Sequence, residues 1–279
     1  MNPICTHYIA GQCYSCGKQI CINLICKKRA KCKLNQGATI EHIPPESFFK
    51  QHVGLNDIKS IPNKDDIIVP ACFECNNSAS KWDELFTVFI TIMSADRNNL
   101  ATKVLEAKKL KPIYKNQKII NNINTNMRSG TVIKTSSGVV LGSTSTCNMW
   151  PDARTALNKT LIKIIRGIYY IETKKVLRDN IAFLHSNKLL KKETYTDNGI
   201  VFLLDKSFKD IISELLRGNR VLDKQEGIIK IFNKSLQNGV FKYSFVIMEP
   251  KSSNVYKNIG LFLLTFYDNT HFLYYVYIK

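Results

Sequence analysis

Two Cys-x-x-Cys pairs, Cys13/Cys16 in "GQCYSCGK" and Cys72/Cys75 in "VPACFECNNS", constrain this 279-residue chain more than any other feature. Each pair can turn tightly enough to present both thiolates to one tetrahedral ion, and two pairs separated by a long loop are a strong zinc pattern. Cys13, Cys16, Cys72 and Cys75 are therefore the expected ligands of one structural zinc. Cys5, His7, Cys21, Cys26 and Cys32 could supply a rival ligand or a second site, but their spacings are irregular and they read as core or redox-idle residues. Eight of the nine cysteines precede residue 76, and only Cys147 lies beyond. Such clustering fits metal binding better than a disulfide framework.

The opening "MNPICTHYIAGQCYSCG" has no basic stretch followed by an apolar one, so no secretory signal is read there. No run approaches the ~20 apolar residues of a membrane span. A soluble cytoplasmic protein is the expectation. The charge balance adds a partner class: 40 Lys+Arg against 22 Asp+Glu give a formal +18 and a pI near 9.5. Each phosphate neutralised by such a surface releases counterions, which favours polyanions and points to nucleic acid. A lysine bias inherited from an AT-rich genome would leave the same excess.

Along the chain, "SASKWDELFTVFITIMSADR" places Trp82, Leu85, Phe86, Phe89 and Met93 at helical spacing, with Ser78 or Ser80 as N-cap. Residues 96–112 read as a lysine-rich helix or linker, and 117–146 as alternating strands turning at Ser136-Ser137-Gly138. Pro151-Asp152 opens a helix. Its apolar stripe is Leu157, Leu161, Ile164, Ile168 and Ile171; its basic stripe, Lys159, Lys163 and Arg166, reads as a solvated face. A helix is expected at "KSFKDIISELLRG". Strands are expected at "EGIIKIFN", "FKYSFVIME", "IGLFLLTFYD" and "HFLYYVYIK". There, Phe262, Phe266, Tyr274 and Tyr277 fill a core or bury a dimer interface.

Between the two cysteine pairs lies "GATIEHIPPESFF", with Glu41 beside His42, and Asn76 directly follows Cys75. In this order of Cys-x-x-Cys, acid-His and Cys-x-x-Cys-Asn, the first third of the chain resembles the HNH, or His-Me finger, endonucleases. It looks most like their zinc-stapled branch, which includes phage recombination endonuclease VII. The resemblance implies a β-hairpin and helix clasping one catalytic metal. Glu41 falls on the first metal ligand, His42 on the general base, and Asn76 on the last ligand at the start of the helix. The middle asparagine of the HNH name has no counterpart; Asp66 is the nearest polar residue.

The implied fold is α+β: a zinc-stapled ββα-metal module over residues 1–95, a linker helix and β-hairpin over 96–150, and an α+β domain over 151–279 ending in antiparallel strands. The implied function is metal-dependent hydrolysis of DNA phosphodiester bonds, in restriction, anti-phage defence or a mobile element. Besides the structural zinc, it calls for catalytic Mg²⁺ or Mn²⁺ on Glu41 and Asn76, hard oxygen ligands that suit such an ion. An imidazole can take a proton from water near neutral pH. A homodimer, or a partner protein of a defence system, would deliver the second strand cut. Three readings compete: a zinc-knuckle nucleic-acid binder without catalysis, an RNA-cutting enzyme of the same superfamily, and a protein-interaction module.

Overall fold

A computed structural model of the chain describes residues 10–21, 39–53, 55, 67–95, 98–107, 117–134, 140–147, 150–177, 183–186, 228–236, 240–248, 258–268 and 270–278. Short strands β1 (Ala10–Gln12) and β2 (Gln19–Cys21) pair antiparallel around the first cysteine turn. Gly17 closes that turn at φ 76, its N–H donating to the Cys13 carbonyl at 2.9 Å. A side chain is disfavoured at that angle, which is why glycine follows Cys16 directly.

β3 (Thr39–Ile43) and β4 (Ile67–Ala71) form a second antiparallel pair, with Glu41 opposite Val69 and His42 opposite Ile68. Thr39, Ile40, Ile43, Ile67, Ile68 and Val69 are β-branched, as a pleated, half-buried surface prefers. The short α1 (Glu46–Lys50) lies between these strands in sequence, and the long α2 (Phe73–Ala95) follows β4 after Cys72 alone. The helix thus starts five residues before Ser78. Ser78 and Ser80 lie inside it, donating to the carbonyls of Cys75 and Asn77 at 3.1 Å each, and neither is the expected N-cap. Asn76 and Asn77 are weak helix formers, and docking of the neighbouring cysteines overrides that preference.

α3 (Asn99–Glu106) is capped by Asn98, whose Oδ1 accepts from the Leu100 and Ala101 N–H groups. Residues 117–126 form a helix, α4 (Gln117–Asn126), where alternating strands are expected; its lone buried residue is Ile123. The hairpin begins only with β5 (Met127–Lys134) and β6 (Val140–Cys147), antiparallel with Met127 opposite Cys147. Its expected turn at Ser136–Gly138 falls outside the described residues, as does the expected helix at 206–218.

α5 (Pro151–Thr173) opens with proline, whose missing N–H costs nothing in the first turn. The last sheet has five antiparallel strands in the order β7, β11, β10, β9, β8, formed by β7 (Phe183–Ser186), β8 (Ile228–Leu236), β9 (Phe241–Met248), β10 (Asn258–Phe266) and β11 (Thr270–Ile278). The fold is α+β with antiparallel sheets.

One apolar cluster takes in Cys13, Ile43, Phe48, Phe86, Leu161, Ile164, Phe245, Phe262, Phe266 and Tyr274. Side chains from both sides of residues 95 and 150 therefore share a core. The residues that follow α1, together with α2, are fixed to the β10–β11 turn by buried polar bonds: Tyr267 Oη meets Gln51 Nε2 at 2.9 Å, His52 Nε2 at 2.8 Å and Thr91 Oγ1 at 3.1 Å. No helix among the described residues is long and apolar enough to cross a membrane.

Candidate metal centre and the residues around it

The β1–β2 turn supplies Cys13 and Cys16, and the junction of β4 with α2 supplies Cys72 and Cys75. Their four sulfurs lie within 4.8 Å of one another, and Cys16 Sγ is 3.8 Å from Cys72 Sγ. A tetrahedron with Zn–S bonds of ~2.3 Å has edges of about 3.8 Å, so the cluster has the dimensions of a zinc site. Cys13 and Cys72 are buried, Cys75 half-buried and Cys16 exposed, and all four are free thiols.

Burial works against ionisation here. It pushes Cys72 up to about 11 and Cys75 higher still. Burial acts on Cys13 as well, but the backbone N–H groups of Cys16 and Cys72 outweigh it and lower that thiol. Four adjacent thiolates repel one another unless a cation sits among them, and soft sulfur donors select zinc over magnesium. The residues present can hold a zinc ion.

Next to this cluster, Asn76 lies in the first turn of α2 and its Nδ2 donates to the Ile40 carbonyl at 3.4 Å. The residue after Cys75 thereby touches the residue before Glu41 and His42. Along β3 successive side chains alternate between faces. Thr39, Glu41 and Ile43 face inward. His42, half-exposed, shares the outer face with Ile40 and its cross-strand neighbour Ile68, which are 38% and 40% exposed. The structure brings Asn76 to β3 but turns Glu41 and His42 to opposite faces. Asp66 lies outside the described residues.

Glu41 is buried beneath α5, where Lys163 Nζ reaches Glu41 Oε1 at 2.8 Å and Asp83 Oδ2 at 2.5 Å. Thr160 Oγ1 adds a bond to Asp83 Oδ1 at 3.1 Å. Burial raises the carboxyl of Glu41 above its usual range, partly offset by Lys163, and the same holds for Asp83. Glu41 Oε2 is buried and takes no hydrogen bond from another side chain. A buried carboxylate oxygen left open is costly, so this atom is a fit acceptor for a hard cation.

The expected solvated stripe of α5 is thus solvated only in part: Lys159 is exposed, Arg166 half-buried and Lys163 buried. Lys159 lies over the Trp82 ring, 4.9 Å from its centroid, Lys163 is enclosed by two carboxylates, and Arg166 Nη1 donates to Ser15 Oγ at 3.4 Å. The stripe's spacing is visible in the sequence; the buried acids that turn Lys163 inward are not. Asp83 sits in a helix whose polar positions all read alike, and no local pattern pairs it with a lysine 80 residues later.

No protein-family model matches the chain, nor does any curated protein or solved structure.

Proposed function

We propose that the chain is a metal-dependent HNH endonuclease acting on DNA, its ββα-metal element being β3, β4 and α2. The observation that carries this reading is the contact of Asn76 with the Ile40 carbonyl beside a four-cysteine cluster of zinc dimensions. It brings Asn76, the last residue of the sequence motif, to the strand residue that precedes Glu41 and His42, 36 positions earlier.

In this reading Glu41, through its open Oε2, and Asn76, through its side-chain oxygen, hold one Mg²⁺ or Mn²⁺. When bound, such an ion would supply Lewis-acid stabilisation of the charge that grows on the leaving oxygen. His42 takes the proton from the attacking water, and it sits half-exposed on the outer face of the strand pair. The cysteines do no chemistry; they fix the first turn of α2 against the β1–β2 turn and so hold Asn76 at β3. The excess of 18 positive charges supplies affinity for phosphate without sequence preference.

A second reading, a zinc-stapled nucleic-acid binder without catalysis, is favoured by the Lys163–Glu41 pair and by the opposite facing of Glu41 and His42. Purified protein incubated with plasmid, single-stranded DNA and RNA in Mg²⁺ or Mn²⁺ separates the two. Divalent-dependent cutting of DNA supports the enzyme, and cutting of RNA alone reassigns its substrate. Binding without cutting, unaffected by removal of Mg²⁺, leaves the binder.

A further inference from the structure

α5 lies along β3 in matched register. Lys163 meets Glu41, and four residues on, Gly167 meets Ile43, two residues on in the strand. Four helical residues advance ~6.0 Å and two strand residues ~6.6 Å, so the two elements keep step. The approach is close enough that a Cβ at Gly167 would lie 2.4 Å from Ile43 Cγ1. Close packing of α5 on the Ile43 side chain therefore sets Lys163 beside Glu41.

The ammonium occupies one oxygen of Glu41 and leaves the other open. It is itself fixed from the far side by Asp83, which Thr160 holds in turn. Two carboxylates against one ammonium leave the trio one negative charge in excess when all are ionised, a balance that attracts a cation.

We infer that Lys163 is a positioning residue: its ion pair with Oε1 of Glu41 sets the carboxylate so that Oε2 takes a divalent ion. This rests on the proposal that Glu41 is a metal ligand, and it makes α5 part of the site, although α5 lies more than 70 residues beyond Asn76 in sequence. Partners that orient a metal ligand change metal affinity by ~10–100-fold when removed.

The test is a Mn²⁺ titration of the full-length zinc-loaded protein, followed by electron paramagnetic resonance, in wild type, E41Q, K163M and E41Q/K163M, with cleavage rates measured in parallel. Positioning predicts that K163M weakens Mn²⁺ binding by about 10-fold or more, and that E41Q/K163M binds no more weakly than E41Q. Mn²⁺ affinity in K163M equal to or above that of wild type overturns the inference. So does an equal loss on adding K163M to E41Q, since a structural role would not depend on Glu41. Should K163M fail to fold, D83N/K163M compared with D83N carries the same reading, because it avoids leaving two buried carboxylates unpaired. Coupled Mn²⁺ binding without cleavage sinks the nuclease reading and leaves Lys163 in its role. Cleavage without coupling sinks Lys163 alone, and no Mn²⁺ binding in wild type sinks both.

Discussion

Gly167→Ala offers a test of the α5–β3 approach in which two effects of opposite sign compete. In an open helix interior, replacing glycine by alanine stabilises by ~0.8–1.0 kcal/mol. At Gly167 the new methyl would lie 2.4, 2.7 and 3.3 Å from Cγ1, Cδ1 and Cγ2 of Ile43. Carbon atoms rest at ~3.5–4.0 Å, so α5 or Ile43 must move by about 1 Å. Ile43 is fully buried and β-branched, and cannot swing its Cγ1 aside freely. Overpacking of this kind costs ~1–3 kcal/mol, which exceeds the helical gain. A net loss of about 1 kcal/mol, or a fall in Tm of roughly 2–4 °C, is expected. Thermal and urea unfolding would measure it. In an Ile43→Ala background the obstruction is gone, and the same substitution should become neutral or stabilising, a reversal that a double-mutant cycle reads directly. A Gly167→Ala protein more stable than wild type with Ile43 present would refute the close approach and, with it, the delivery of Lys163 by packing.

Other outcomes follow from the same contacts. The protein should contain about one zinc per chain, and Cys72→Ser should unfold the segment around β1–β4, since structural zinc supplies ~10–16 kcal/mol of apparent binding energy; zinc-free protein from a chelator-free purification would contradict the cluster. His52 is fully enclosed, and burial lowers it from 6.5 to about 4. Its folded value lies below its unfolded one, so the contribution is intact above pH ~6.5 and fades as pH falls towards 4, by about 3 kcal/mol in total and about 2 kcal/mol between pH 7 and 5. Urea titrations at both pH values should show that loss in wild type, and a His52→Gln variant should lack most of it; equal pH dependence in the two proteins would remove His52 as its source.

Local chemistry made much of this molecule readable in advance. The cysteine spacing predicts a single cluster, and the sulfurs meet within 4.8 Å. The strands from Ile228 onward carry dense β-branched and aromatic residues, and they pair as one antiparallel sheet. What local pattern could not supply is long-range pairing. Asn76 and Asn77 argue against an early helix start, yet α2 begins at Phe73 because tertiary anchoring decides it. Lys163 reads as solvent-facing until Glu41 and Asp83, 122 and 80 positions away, are seen to enclose it. Residues 117–126 contain Ile119, Ile120 and Ile123 among polar residues, a pattern that suits a short amphipathic helix as well as a strand.

The role of His42 as general base is read most directly from the rate at which His42→Ala cuts a divalent-dependent DNA substrate of the wild-type protein. Zinc content and DNA affinity of the variant are to be measured on the same preparation. A loss of ~10²–10⁴-fold in the chemical step is expected, with zinc and DNA binding retained, because the substitution removes the proton acceptor and neither anchor. Cleavage by His42→Ala at the wild-type rate would contradict that role.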